Sequence, residues 1–272
     1  MTTTSQTDKA ARFLSLHRPG DPLLLPNPWD AGSAKVLASL GFQALATTSS
    51  GFAATLGRLD GSVSRDEALA HAAAIVAATE LPVSADLENC FADDPEGVAR
   101  TVTLAAQTGL AGCSVEDYAG DDDGRIYDIG LAAERVATAA EAAHAGQARL
   151  VLTARAENYL YDRKDLADTI ARLQAYQEAG ADVLYAPGLT SLADIRQVVG
   201  EVDRPVNVLA FPGAPPVSEL AEAGVARVSV GGAFAYAALA ALADVATELR
   251  DKGTYGYIAS SAAGRKVVHR AF

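Results

Sequence analysis

The chain contains little cysteine: Cys90 and Cys113 are its two thiols in 272 residues. They are not in CxxC spacing, so the sequence excludes a zinc knuckle and a disulfide framework. Cys113 lies within an apolar segment and is expected in the core, whereas Cys90 follows an acidic motif. Neither a thiolate metal site nor a set of covalent cross-links is therefore expected.

Basic residues are also scarce. The chain has 22 lysines and arginines against 34 aspartates and glutamates, a net charge of −12 and a pI near 4.7. Nucleic acids and anionic membranes require clustered basic residues, and none cluster here, so neither is an expected partner. No apolar run approaches the roughly 20 residues of a membrane span. The N-terminal segment MTTTSQTDKAARFLSLHRPG lacks the apolar stretch of a signal peptide, so we expect a cytoplasmic protein.

What the chain has in abundance is a regular alternation of short apolar runs with alanine-rich helical segments. Eight such units predict an α/β protein of the (β/α)₈ TIM-barrel class, with a doubly wound open sheet as the alternative. We expect a single domain over residues 1–272, with a barrel core at about 22–250 and a C-terminal helical tail at about 251–272. Strands are predicted at 23–25, 44–48, 83–88, 112–116, 149–154, 183–186, 206–209 and 227–230. Helices are predicted at 30–40, 64–78, 95–108, 129–145, 166–180, 191–199, 217–224 and 232–252.

Acidic residues end two successive predicted strands. Asp86 and Glu88 are two apart on the third strand and are expected on one face of it. Glu116 and Asp117 end the fourth strand. Like charges this close raise one another's pKa values unless a positive group lies between them, and Mg²⁺ prefers such oxygen ligands. The pattern predicts a divalent metal site, with solvated loop acids as the alternative.

The residues at the other predicted strand ends limit the classes of reaction that the site could catalyse. The five lysines and four histidines lie away from predicted strand ends, which disfavours a Schiff-base aldolase, an imidazole base and a His-rich zinc site. Ser50 and Gly51 follow the second strand, Asp60 lies in the loop beyond, and Arg155 ends the fifth strand. These groups favour chemistry by a cation, an arginine, carboxylates and backbone amides that stabilise an enolate.

Four segments together resemble the isocitrate lyase/phosphoenolpyruvate mutase superfamily: TTSSGFAATLGRLDG (47–61), SADLENCF (84–91), GCSVEDYAGD (112–121) and TARAENYL (153–160). The resemblance extends over most of the chain, from residue 23 to about 249. It implies an Mg²⁺-dependent (β/α)₈ barrel that acts on 2-oxo or 2-hydroxy acids through a pyruvate-enolate-like species. It also implies a homotetramer whose subunits exchange a C-terminal helix.

The same resemblance implies roles for individual residues. Asp86 resembles the direct metal ligand, with Asp60, Glu88 and Glu116 holding Mg²⁺ or Mn²⁺ directly or through water. Arg155 resembles the arginine that contacts the oxo or enolate oxygen, with Glu116 and Asp60 beside it as further catalytic candidates. A structural pairing of Arg155 with Glu157 is the alternative. The substrate carboxylate is expected against Ser50, Gly51 and the backbone of Phe52.

The segment after the fourth strand departs from the superfamily. Its isocitrate and methylisocitrate lyases carry a catalytic cysteine there, whereas this chain has AGDDDGRIYD (119–128), a catalytic lid or a solvated turn. Tyr118, Arg125 and Tyr127 are its candidate proton donors or anion contacts, and Cys90 is not expected to take over the cysteine's role. We predict an Mg²⁺-dependent lyase or decarboxylase that cleaves a C–C bond of a small 2-oxo or 2-hydroxy dicarboxylate. The alternatives are a P–C bond hydrolase or mutase of the phosphonopyruvate type, and a weakly catalytic metal-binding barrel.

Overall fold

Eight parallel strands form one sheet in the order β1-β8-β7-β6-β5-β4-β3-β2. The structure is a computed structural model that describes residues 4–120 and 124–272. The strands are β1 (Leu23–Leu25), β2 (Leu45–Ala46), β3 (Val83–Asp86), β4 (Gly112–Glu116), β5 (Val151–Arg155), β6 (Val183–Tyr185), β7 (Val206–Leu209) and β8 (Arg227–Ser229).

Most of the helices follow a strand and lie on the outside of this sheet, whereas the first helix precedes β1. They are α1 (Gln6–Ser15), α2 (Ala31–Ser39), α3 (Ser49–Thr55), α4 (Arg65–Ala77), α5 (Pro95–Ala106), α6 (Ile129–His144), α7 (Leu166–Glu178), α8 (Leu192–Glu201), α9 (Val217–Glu222), α10 (Ala233–Lys252) and α11 (Ile258–Ala271).

The sheet closes on itself almost completely. β1 pairs in parallel with β8, so that Leu24 lies opposite Val228. Between β1 and β2, the Ala46 N–H donates to the Pro26 carbonyl at 3.1 Å, and the Asn27 amide donates to the Thr47 carbonyl at 2.9 Å. The predicted (β/α)₈ barrel with a C-terminal helical extension is therefore confirmed, and the open-sheet alternative is wrong.

Glycine ends several helices just before the next strand, as the repeated sequence pattern predicted. Gly180 follows α7 with a φ of +103°, and Gly224 follows α9 with a φ of +82°. A residue with a Cβ adopts such left-handed backbone only at a cost, so glycine reverses the chain here at little strain. These turns return the chain to β6 and β8.

The acidic end of β3 differs from the predicted strand. β3 ends at Asp86, and Glu88 has a φ of +50°, so the expectation that both lie on one strand face is wrong. Cys90 and Phe91 are also left-handed, at +60° and +57°. The chain therefore turns sharply after Asp86, and Glu88 reaches the site from a turn.

The sequence did not predict α1, which covers the end of the barrel where the strands begin. Its Phe13 packs with Leu23, Ala111, Val151 and Val183, which lie at or just before the first residues of four strands. The chain leaves α1 at the buried His17. The barrel interior is therefore closed at this end and open at the carboxyl ends of the strands.

Exposed large apolar side chains are concentrated on the C-terminal helices, where residues 234–272 carry nine of them. The most exposed large apolar side chains on and around α10 and α11 are Leu242, Tyr255, Ile258 and Phe272, each more than half exposed. In the described part of the chain, no helix combines the length and the apolar character that a membrane crossing requires.

Candidate active site

A cavity of about 310 Å³ opens at the carboxyl ends of the strands. Its lining includes Ser50, Asp60, Asp86, Arg155 and Tyr185. A second cavity of about 520 Å³ adjoins it, since Asp60 and Arg155 also line that one, together with Glu88, Glu116 and Tyr161. In a (β/α)₈ barrel this is the end where the loops build active sites.

Arg155 connects three of the strand-end carboxylates. Its Nη1 lies 2.8 Å from Asp86 Oδ1, its Nη2 lies 3.1 Å from Glu116 Oε2, and its Nε lies 2.7 Å from Glu157 Oε1. The register places Glu116 directly opposite Arg155 on the neighbouring strand. Burial alone would lower the pKa of the guanidinium, but the charges of Glu116, Glu157 and Asp86 raise it well above its ordinary value. Arg155 is therefore a permanent cation among the strand-end carboxylates.

Negative charge nevertheless exceeds positive charge around it. Burial, and then the charges of Asp86 and Asp60, raise the pKa of Glu88 to about 8. Burial and the charge of Asp86 likewise raise the pKa of Asp60. These carboxyls therefore favour either a proton or a further cation beside them.

The predicted metal ligands fit a hard cation by their chemistry. Asp60, Asp86, Glu88 and Glu116 all line the two adjoining cavities and offer only oxygen. As they stand, no three Asp, Glu, His or Cys side chains within residues 4–120 and 124–272 are placed to enclose an ion. Mg²⁺ keeps several waters and is commonly held by only one or two carboxylates plus the substrate, so this arrangement suits it.

The predicted carboxylate-binding segment forms the first turn of α3. Thr48 caps this helix, accepting from the Gly51 N–H at 3.3 Å through its hydroxyl and from the Phe52 N–H at 3.0 Å through its carbonyl. Ser50 lines the cavity, and a Cβ on Gly51 would lie 2.5 Å from Thr48 Cγ2. The Phe52 ring stacks on His71 at 3.9 Å. Of the three residues, Ser50 has its side chain available to the cavity.

Two further polar side chains near strand ends, Asn27 and Asp117, hold the fold together. The Asn27 side chain accepts from the N–H groups of Val230 and Gly231, both at 3.0 Å, which ties the ends of β1 and β8. Asp117 accepts from Arg172 at 3.0 Å and from the Tyr176 hydroxyl at 2.5 Å, behind β4. Both side chains already have partners that account for their burial.

The candidate proton donors and anion contacts in the segment after β4 do not all face the cavity. Tyr118 lines the second cavity and stacks on Tyr161, with ring centroids 3.9 Å apart. Tyr127 is buried and donates to the Asp93 carboxylate, and Arg125 Nη2 lies 3.6 Å from the same residue. The three aspartates at 121–123 lie outside the described residues. Tyr118 is thus the candidate from this segment that lines the cavity.

Cys90 is fully buried, and burial raises the pKa of its thiol well above the ordinary value. Cys90 also lines neither of the two cavities, so its thiol has no access to a substrate bound there. The geometry agrees with the expectation that Cys90 does not replace the missing loop cysteine.

Sequence reasoning missed a second arginine of the first cavity. Arg227 is the first residue of β8, and its Nε donates to Asn207 Oδ1 at 2.9 Å. Its Nη1 lies 3.2 Å from His17 Nε2 and 3.1 Å from Thr153 Oγ1. A charged residue inside an otherwise apolar strand, ARVSV, was the available signal.

Comparisons with known proteins find matches along most of the chain. Residues 13–250 match the profile of the phosphoenolpyruvate phosphomutase family. The Escherichia coli K12 2-methylisocitrate lyase is 30% identical over 80% of this chain and 78% of its own. A Burkholderia cenocepacia J2315 crystal structure, assigned provisionally as a lyase/mutase, is 51% identical with a TM-score of 0.92, covering 96% of this chain and 95% of that one. A crystal structure of 2,3-dimethylmalate lyase is 27% identical with a TM-score of 0.83, covering 91% and 89%.

The pairing of His17 with Arg227 predicts an acid sensitivity. His17 Nδ1 donates to the Phe13 carbonyl at 2.8 Å, so Nε2 is left to accept from Arg227. Burial and the charge of Arg227 lower the pKa of His17 from 6.5 to about 3, although Asp182 opposes this. The unfolded chain takes up a proton below pH 6.5 that the folded chain refuses. Stability is therefore fully present above pH 6.5 and is lost as the pH falls towards 3.

We expect His17→Gln, whose amide oxygen can still accept from Arg227, to remove this pH dependence. Between pH 6 and 5 the free energy of unfolding of the wild type should fall by roughly 1 kcal/mol per pH unit more steeply than that of the variant. Urea denaturation at several pH values measures both slopes. Parallel slopes would show that folding does not change the protonation of His17.

Proposed function

Because the chain belongs to the isocitrate lyase/phosphoenolpyruvate mutase superfamily, we propose that it is an Mg²⁺-dependent lyase or decarboxylase that cleaves a C–C bond of a small 2-oxo or 2-hydroxy dicarboxylate. The observation that carries the proposal is the contact of one arginine with three carboxylates at the carboxyl ends of the strands. This arrangement suits an enolate of pyruvate as the product-side species.

The acidic side of the cavity would hold the cation. Asp86 would be the direct ligand, with Asp60, Glu88 and Glu116 contacting it or its waters. The raised pKa values of Glu88 and Asp60 support this, since a cation would replace the protons that these groups otherwise favour. A bound Mg²⁺ or Mn²⁺ supplies Lewis-acid polarisation of the substrate's oxygen atoms.

Arg155 supplies the positive charge of the protein itself. Its fork is fixed by carboxylates on three sides, so the guanidinium is oriented before substrate arrives. Charge developing on the 2-oxygen during bond cleavage would be stabilised by such a preorganised donor. Ser50, in the first turn of α3, would position the adjacent carboxylate.

Proton transfer must use a group other than a loop cysteine, and Tyr161 is our candidate. Its ring stacks on Tyr118 and lines the same cavity as Glu116 and Arg155. Burial, followed by the charges of Glu116 and Glu157, raises the pKa of Tyr161, so the phenol keeps its proton at neutral pH. A protonated hydroxyl at this place can donate to the enolate carbon once the bond has broken.

The assembly is a further part of the proposal. We propose a homotetramer that covers the exposed apolar side chains of α10 and α11, among them Leu242 and Phe272. Sedimentation analysis would report such a state as a particle of four 28.0 kDa chains. The cytoplasmic location expected from the sequence stays a prediction.

The function is tested by screening 2-oxo and 2-hydroxy diacids and phosphonopyruvate for pyruvate release, with and without Mg²⁺. We expect one of the 2-oxo or 2-hydroxy diacids to release pyruvate by cleavage of a C–C bond. EDTA should abolish this reaction, and Mg²⁺ or Mn²⁺ should restore it. Arg155→Lys should lower kcat/KM by roughly 10²–10³-fold, because lysine keeps the charge and loses the fork. Arg204→Lys, on the exposed surface, is the matched control and should react normally.

The alternatives give different results in the same screen. Reaction of phosphonopyruvate alone would favour P–C cleavage. Metal binding without turnover would indicate a weakly catalytic barrel. Full activity in metal-free protein, or near-normal turnover by Arg155→Lys, would contradict the proposed site.

The proton donor is tested by Tyr161→Phe, which removes the hydroxyl and keeps the ring that stacks on Tyr118. We expect kcat to fall by about 10²-fold or more, while substrate affinity changes little. Cys90→Ala is the comparison and should retain most of the rate. Turnover by Tyr161→Phe at the wild-type rate would exclude this hydroxyl as the proton donor. A large loss of kcat in a folded Cys90→Ala variant would indicate that the thiol is the donor instead.

A further inference from the structure

Arg227 is a buried arginine whose hydrogen-bond partners among the described residues are all neutral. Its side chain reaches the amide oxygen of Asn207, the hydroxyl of Thr153 and Nε2 of His17, and the residue is 4% exposed. No ion pair involving Arg227 is formed within residues 4–120 and 124–272. Arg155 in the same cavity, by contrast, has three carboxylates around it.

The surroundings of Arg227 do not neutralise its charge. His17 does not compensate the positive charge of Arg227, because its imidazole is neutral. Burial raises the pKa of the neighbouring Tyr185 to about 12, so that phenol is uncharged as well. Burial lowers the pKa of Arg227 only to about 10, which leaves the guanidinium charged at neutral pH. A buried charge without a partner is unfavourable, so its persistence calls for a ligand of opposite charge.

The guanidinium is also open to the cavity. Arg227, Thr153, Tyr185 and Ser229 line the same space as Arg155 and Asp86. Nε and Nη1 are used in the contacts above, whereas Nη2 makes no hydrogen bond to the described residues. The contact with His17, which follows α1 at the closed end of the barrel, places this group deeper than the carboxylates of the proposed cation site.

The two ends of the cavity therefore differ in charge. The outer end carries Asp60 and Asp86 beside Arg155, and Glu88 and Glu116 line the adjoining cavity. A carboxylate enters this acidic end only beside a cation. The inner end carries a positive charge, and the hydroxyl-bearing residues Thr153 and Ser229 line the same space. A planar fork of this kind binds a carboxylate through charge-assisted hydrogen bonds.

We infer that Arg227 is a second anion-binding group, which receives the distal carboxylate of the substrate at the closed end of the cavity. This inference rests on the proposed function, because it assigns the other acidic group of the same diacid to the end with Arg155 and Ser50. It limits the substrate class to acids whose second carboxylate is separated from the reacting unit by a carbon chain. A substrate of oxalate length would use the outer end alone.

The test measures affinity for probes of different length in the presence of Mg²⁺, by isothermal titration calorimetry on the full chain. Oxalate reports the outer end, and succinate and glutarate report both ends, with butyrate as the acid that lacks the second carboxylate. We expect wild type to bind succinate or glutarate at least about 10-fold more tightly than butyrate. Arg227→Met should weaken the better diacid by about 10–100-fold and change oxalate affinity less than about threefold.

The outcomes separate the two proposals. Failure of wild type to bind oxalate with Mg²⁺ would contradict the proposed function. Normal oxalate binding with diacid affinity unchanged in Arg227→Met would overturn the role of Arg227. Thermal unfolding in chloride gives a further control. The inference would also be overturned if chloride stabilised wild type but not Arg227→Met, and did not change the affinity for diacids. Arg227 would then hold an inorganic ion. If Arg227→Met does not fold, the comparison of diacid with butyrate in wild type decides, and equal affinity overturns the inference.

Discussion

The contact of Arg155 with Asp86, Glu116 and Glu157 is the interaction on which the candidate site depends. Three carboxylates gathered at the carboxyl ends of neighbouring strands would repel one another, and the single guanidinium between β3, β4 and the segment after β5 allows them to lie together. The register of β4 against β5 fixes this arrangement, because it sets Glu116 opposite Arg155. The compensation is incomplete, as the raised pKa values of Glu88 and Asp60 show. The negative charge that Arg155 does not compensate makes the site suitable for a hard cation.

The same cavity combines two electrostatic environments. Its outer end is acidic and faces the loops, whereas its inner end holds Arg227 among neutral partners. A substrate with two acidic groups would complement both ends, one through the cation and Arg155 and the other through Arg227. On this account the barrel selects a diacid by length as well as by charge. The polar side chains inside the barrel, Thr153 and Ser229 among them, follow from that requirement, since barrel interiors are otherwise filled by branched apolar residues.

Sequence reasoning succeeded where a local pattern determines the structure. Short apolar runs and glycine-ended helices predicted the eight strands, and Asp86, Glu116 and Arg155 were placed at strand ends because each closes such a run. It failed where backbone conformation or distant partners decide. Glu88 leaves the strand through a left-handed turn that its alternating pattern does not reveal. The environment of Arg227 depends on its contact with His17, which is 210 residues away in the chain. No spacing pattern in the sequence predicts that contact.

The most direct test of the account is whether the protein stabilises an enolate of pyruvate, whatever its physiological substrate is. Pyruvate in D₂O with Mg²⁺ and the protein would be followed by ¹H NMR of the methyl group. The account predicts methyl exchange well above the rate of the buffer, suppressed by EDTA and by Arg155→Lys. Binding of pyruvate without any exchange, or exchange that persists undiminished after removal of the metal, would contradict it.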